Sequence, residues 1–89
     1  MVQREVEIRN RLGLHARAAA RFVHAASRFR ARVTLTRGGR SMDGKSILGI
    51  LLLAASHGTR LTLAAEGEDE QRAVEALSAL VEAGFGEET

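Results

Sequence analysis

Residues 32–43 read RVTLTRGGRSMD, and the fold turns on how this stretch is read. Arg32 to Arg37 alternates, with Val33 and Leu35 on one face of a period-2 pattern. That is the mark of a strand half-buried against a core. Gly38-Gly39 follows, and two glycines supply the positive φ angles that tight hairpin turns need. Arg40 to Asp43 is then a short return strand.

Toward the amino terminus, Val2, Arg4, Val6 and Ile8 share one face of another alternating segment. Asn10 to Leu14 is a loop, and a helix follows from Ala16. Ala19, Phe22, Val23 and Ala26 form its apolar stripe, while Arg17, Arg21, His24 and Arg28 line the opposite side. Beyond the hairpin, Ser46 stands at the N-cap of an apolar helix running to Ala55, with His57-Gly58 near its stop. Ile50, Leu53 and Ala54 face the sheet in this reading, leaving Ile47, Leu48 and Leu51 partly exposed. Arg60 to Glu66 alternates through Leu61, Leu63 and Ala65. Glu68-Asp69-Glu70 opens a last helix, its acids suited to the positive end of the helix dipole. Val74, Leu77, Leu80 and Val81 are its core stripe, and Gly84 ends it. The order β-α-β-β-α-β-α predicts an α+β fold. It is an open-faced β-sandwich, a four-stranded antiparallel sheet with three helices on one face, in a single domain over residues 1–89.

Composition bounds what such a domain can do. The core must come from Leu, Val, Ile and Ala, because there are three Phe and no Tyr or Trp. Without cysteine there are no disulfides or thiolate metal sites, and a reducing compartment fits. The first residues alternate charged and apolar instead of building a signal peptide's apolar stretch. The apolar run from Ile47 to Ala55 is far short of the roughly 20 residues a membrane span needs. The expectation is a cytoplasmic protein without membrane insertion. Charge is uneven: residues 1–44 hold ten Arg against Glu5, Glu7 and Asp43, and residues 45–89 are net acidic. A basic half suits nucleic acid, phosphate or an acidic protein partner, and equally a solvated surface.

His15 stands out within that basic half. It sits at the N-cap of the first helix, where the backbone N–H groups of Ala16 and Arg17 lack intrahelical partners. Those donors and the helix dipole make an anion site. The same field disfavours imidazolium, so a neutral, nucleophilic ring is expected near pH 7. Arg17 can reach back as a forked phosphate donor. A nucleophile inside an anion pocket is what reversible histidine phosphorylation requires. On the residues alone, a plain capping or surface role for His15 stays open. No second histidine, acid or serine lies nearby in sequence, so neither a metal site nor a triad is expected.

Gly13-Leu14-His15-Ala16-Arg17 resembles the active-site motif of HPr, the histidine phosphocarrier family of the bacterial phosphoenolpyruvate:sugar phosphotransferase system. Lys45-Ser46-Ile47-Leu48-Gly49-Ile50 is similar to the family's regulatory-serine segment, and Glu66-Gly67-Glu68-Asp69-Glu70 to the start of its carboxyl-terminal third. The resemblance covers essentially the whole chain. It implies that His15 accepts a phosphoryl group from enzyme I and passes it to IIA domains, with Arg17 stabilising the group in transit. It implies a carrier without turnover of its own, without cofactor and monomeric. Ser46 becomes a target for HPr kinase/phosphorylase. Ile47, Leu48 and Leu51, completed by Arg17, Ala20, Arg21, His24 and Ser27, become the docking surface for partners. One departure is Ala18, where the family usually has proline; alanine loses the preset φ and leaves one more free N–H.

Two other readings compete. A regulatory relay of the same family would be phosphorylated but signal in nitrogen or catabolite control. A small nucleic-acid-binding domain would share the basic half and the split β-α-β order. Readers of RNA on a sheet face need aromatic residues for stacking, and these strands contain none. His24 and His57 read as surface residues.

Overall fold

A computed structural model describes residues 1–87. Its elements are β1 (Val2–Glu7), α1 (Ala16–Ala26), β2 (Arg32–Arg37), β3 (Arg40–Asp43), α2 (Ile47–Leu51), β4 (Arg60–Glu66) and α3 (Glu70–Glu82), followed by a 3-10 turn over Gly84–Gly86. The four strands form one antiparallel sheet in the order β1-β4-β2-β3. Arg37 pairs with Arg40 across Gly38-Gly39, as the two-glycine turn demands. Val6 pairs with Leu61, Val33 with Ala65, and Leu35 with Leu63, so the alternating apolar residues of three strands meet on one face. All six are buried, whereas Thr34, Thr36, Thr62 and Ala64 on the other face are half-exposed. The helices pack on the apolar face, and the fold is the open-faced sandwich expected from the sequence.

Phe22 of α1, Ile50 of α2, and Val74 and Leu77 of α3 fill the space above the sheet. Fully burying a side chain of this size contributes about 1.5–3 kcal/mol, so the small aliphatic inventory suffices for one core. Three details depart from the sequence reading, one of them Ala54, which is exposed instead of facing the sheet. Ala18 is fully buried, so the inward face of α1 is Ala18, Ala19, Phe22 and Ala26, while Val23 is only half-buried. The second helix is also shorter than its apolar run, ending at Leu51 instead of Ala55.

Tertiary contacts explain that early stop. After Leu51 the ladder tightens, with Leu53 N–H donating to the Ile50 carbonyl and Ala54 N–H to that of Leu51. Ala54 then adopts a left-handed φ of 51°, which exposes it and turns Ala55 inward. The released Leu53 and Ala54 carbonyls accept from Arg37 Nη1 at 2.8 and 2.9 Å, and the Ala55 carbonyl accepts from Leu14 N–H at 2.8 Å. The Leu53, Ala54 and Ala55 carbonyls just past the helix thus find partners in distant segments, which a local pattern cannot foretell.

Asp69 ties α3 to the turn before β2. Its two carboxylate oxygens accept from the Arg30 and Ala31 N–H groups at 2.9 and 2.8 Å. The Arg30 hydrogen bond, then that of Ala31, holds this carboxyl below its usual range against the cost of desolvation. A carboxyl lowered in the folded state stabilises it above its unfolded pKa of about 4, and the benefit is lost as pH falls through the folded value. The melting temperature should therefore drop on acidification below about pH 4. Asp69→Asn should melt lower at neutral pH and show a shallower acid decline. Equal acid profiles for parent and variant would show that other carboxylates carry the effect.

Candidate functional site

The loop before α1 is pressed onto the segment after α2. Gly13 has φ +72°, and a Cβ there would lie 2.8 Å from the Ala55 carbonyl and 2.9 Å from Ser56 Cα. Only glycine permits both the left-handed turn and that approach. Asn10 is fully buried beneath the loop and donates through Nδ2 to the Gly13 carbonyl at 2.6 Å. These contacts fix the direction in which the chain enters α1.

His15 occupies the N-cap in extended geometry (φ −78°, ψ 179°). Its Nδ1 accepts the Arg17 N–H at 3.2 Å, and its carbonyl accepts the Ala19 N–H at 2.8 Å. The Ala16 N–H has no partner among the described residues and stays free for an anion, whereas the Ala18 N–H, also without a partner there, belongs to a fully buried residue. Arg17 is exposed on the next residue pair. Imidazole and a free amide thus come together at one helix end, and the Arg17 side chain leaves the same turn to line the groove along α1.

Sequence reading missed the group on the other side of the ring. His15 Nε2 lies 2.6 Å from Glu87 Oε2, in a contact that leaves the Glu87 side chain 12% exposed and that of His15 28%. Asn10 Nδ2 donates to Glu87 Oε1 at 2.9 Å. The Asn10 hydrogen bond, then that of His15, with the Arg21 charge adding, holds the Glu87 carboxyl below its usual range. Glu87 arrives because Gly84, Phe85 and Gly86 all take positive φ, curling the chain back after α3. Phe85 is buried at 1% exposure, and its carbonyl accepts from Arg21 Nη1 at 2.5 Å. The available signal was Gly-Phe-Gly after a helix, a turn that must go somewhere. Nothing local said it would reach His15.

Arg17, Ala20, Arg21 and His24 line an open groove on α1, joined by Ala25, Arg28 and Leu80. Ser27 lies apart from it and caps the helix, its hydroxyl donating to the Val23 carbonyl at 2.7 Å. Ser46 caps α2, its Oγ accepting the Gly49 N–H at 3.1 Å. Beside it Ile47 and Leu48 are 43% and 69% exposed, whereas Leu51 packs half-buried against the core. Leu52, not singled out in the sequence, adds apolar surface at 51% exposure. The helices α1 and α2 pack together, which sets the basic groove and the apolar patch on neighbouring elements. His57 is exposed in a turn and takes no part.

Among the described residues, no group of three or more His, Asp or Glu is arranged to hold a metal, and no helix is long and apolar enough to cross a membrane. All three Phe are withdrawn from the open sheet face: Phe22 and Phe85 are buried, and Phe29 packs against the core.

A small open-faced sandwich with a histidine capping its first helix, a free amide in the first turn and an arginine two residues on defines a class of proteins that can hold an anion against an imidazole. Comparison with known proteins narrows this. The family described as the PTS HPr component phosphorylation site matches residues 2–83, and the chain belongs to the HPr family of phosphocarriers of the phosphotransferase system. It is 47% identical over 89 residues to the phosphocarrier protein HPr of Xylella fastidiosa strain Temecula1, covering all of both chains. Its structure matches that of HPr-C-His from Thermoanaerobacter tengcongensis with a TM-score of 0.96 at 44% identity, again over both chains entirely. It also matches Crh, the catabolite repression protein of Bacillus subtilis, with a TM-score of 0.77 at 50% identity, over 94% of this chain and 97% of the other. The crystal structure of Crh is a domain-swapped, intertwined dimer.

Proposed function

We propose that this protein is a stoichiometric phosphoryl carrier, without autonomous turnover. Enzyme I, charged by phosphoenolpyruvate, transfers its phosphoryl group to His15, and His15 passes it to a IIA domain. The observation that carries the reading is an imidazole nitrogen set against the Arg17 amide at a helix end where the Ala16 amide has no partner among the described residues. The nitrogen's lone pair attacks phosphorus. The amides of the first turn and the Arg17 guanidinium receive the phosphoryl oxygens as negative charge spreads over them. No proton has to be supplied from elsewhere for the group to arrive or leave.

The test is incubation with phosphoenolpyruvate, Mg²⁺ and a heterologous enzyme I. One phosphoryl group per chain is expected, labile in acid and stable in alkali, as a phosphoramidate is. His24→Ala and His57→Ala should label like the parent. Incorporation that is alkali-labile would place the group on a hydroxyl and overturn the reading.

The groove and the apolar patch fit docking of both partners: basic residues meet acidic rims, and Ile47, Leu48 and Leu52 supply the apolar centre. The carrier acts in this reading as a monomer in the cytoplasm. HPr kinase/phosphorylase is proposed to act on Ser46. Because α2 spans five residues its dipole is small, so Ser46→Asp should melt close to the parent. A charge beside Ile47 and Leu48 opposes an acidic partner, so Ser46→Asp should raise KM for enzyme I roughly tenfold with kcat held. Ser46→Ala should keep its kinetics and lose about 1 kcal/mol of stability with the cap. Unchanged KM in Ser46→Asp would leave this serine as a helix cap alone.

The likeness to Crh supports a second reading, in which the phosphorylated chain signals by binding a regulator. Sugar-permease genes beside its own would favour transport; a kinase/phosphorylase gene with regulators alone would favour signalling.

A further inference from the structure

We propose that Glu87 is a positioning residue for His15: it holds the imidazole proton on Nε2 and so presents the Nδ1 lone pair to phosphorus. This rests on the carrier reading above and assigns a role to a residue 72 positions away in sequence. An ionised carboxylate only accepts hydrogen bonds, so at 2.6 Å from Glu87 Oε2 the ring nitrogen Nε2 must be the donor. The lone pair is then on Nδ1, on the side of the ring that faces the first-turn amides. Among the described residues Nδ1 is engaged only by the Arg17 N–H at 3.2 Å, the long end of the hydrogen-bond range, and that amide is freed to meet a phosphoryl oxygen. With the other tautomer the lone pair would point at the carboxylate, and the nitrogen nearest the anion site could not attack.

The contact is built, not incidental. Three consecutive residues in left-handed conformation steer the chain to His15, and two of them are glycines. Buried Phe85 anchors the turn, and Arg21 holds its carbonyl. Asn10 spends both hydrogens of Nδ2, on the Gly13 carbonyl and on Glu87 Oε1. Its own Oδ1 is left buried with no partner among the described residues. Buried amides normally satisfy both ends, so an orphaned oxygen marks an orientation imposed by what Nδ2 must hold.

The step balances. The Nδ1–P bond forms as the donor's bond to phosphorus breaks, and that electron pair leaves with the donor. The proton stays on Nε2, and the positive charge that develops on the ring faces Glu87. Return transfer runs the same path backward.

The experiment compares the full chain with Glu87→Ala and Glu87→Gln by two readouts. One is the ¹⁵N spectrum of the His15 ring, recorded in mildly alkaline solution. The other is kcat and KM for phosphoryl uptake from enzyme I and phosphoenolpyruvate. The parent should show the Nε2–H tautomer. Glu87→Ala should show mixed tautomers and a kcat lowered about tenfold with KM unchanged, the low end of what partners that orient a reacting ring contribute. Glu87→Gln keeps an acceptor but not the charge, so it should hold the tautomer and fall between the two in kcat. Parent-like tautomer and kcat in Glu87→Ala would overturn the proposal and leave the carrier reading intact. A raised KM with kcat unchanged would also overturn it, by moving Glu87 to the docking surface. A parent that accepts no phosphoryl group would instead sink the carrier reading, and this proposal with it.

Discussion

His15→Ala should take up no phosphoryl group from phosphoenolpyruvate and enzyme I, while remaining folded. Among the described residues, His15 is the only imidazole placed against first-turn helix amides; His24 sits in the last turn of α1 on the groove and His57 in an exposed turn. Alanine also removes the Nδ1 acceptor that caps α1, which costs about 0.5–2 kcal/mol. The variant should therefore melt somewhat lower. His15→Asn separates the two effects. Asparagine is among the best N-caps but no nucleophile, so this variant should recover the lost stability and still accept nothing. Intact-mass measurement after incubation, beside thermal melts, checks both. Incorporation into either variant would remove His15 from the chemistry.

Arg17→Ala should lower kcat for phosphoryl uptake by about 10²–10³ while changing stability by less than about 0.5 kcal/mol. The side chain is exposed, so little packing is lost. Its planar fork can follow the phosphoryl oxygens as they move from donor to acceptor, and this contact matters most when charge is spread between the two. Arg17→Lys should recover only part of the rate, because a point charge cannot grip two oxygens at once. Arg17 also lines the groove, so KM should rise as well. The loss in kcat at saturating carrier is what isolates the transition state. Parent-like kcat in both variants would mean that backbone amides alone hold the group.

Much of this was legible in the chain. The alternation of Val33 and Leu35, the Gly38-Gly39 turn and the stripe of α3 are local patterns whose period matches the element they build, and all four strands lie where those patterns place them. The cap at His15 was legible for the same reason, since an N-cap is defined by its immediate neighbours. What sequence could not show depends on contacts between distant segments. The end of α2 goes with Arg37 and Leu14, distant residues that meet the carbonyls of the segment following it. Glu87 reads as one more acid near the end of an acidic half until the left-handed turn at Phe85 carries it to the imidazole. Asn10 likewise reads as a loop residue, and its burial under Gly13 is a fact of three dimensions alone.

The central claim is that phosphorus becomes bonded to the His15 nitrogen facing the first-turn amides. The most direct measurement is ³¹P–¹⁵N correlation on uniformly ¹⁵N-labelled protein after incubation with phosphoenolpyruvate and enzyme I. The account predicts a single phosphorus signal coupled to Nδ1 of His15, with the proton on Nε2. Phosphorus coupled to Nε2, to another histidine or to no nitrogen at all would contradict it.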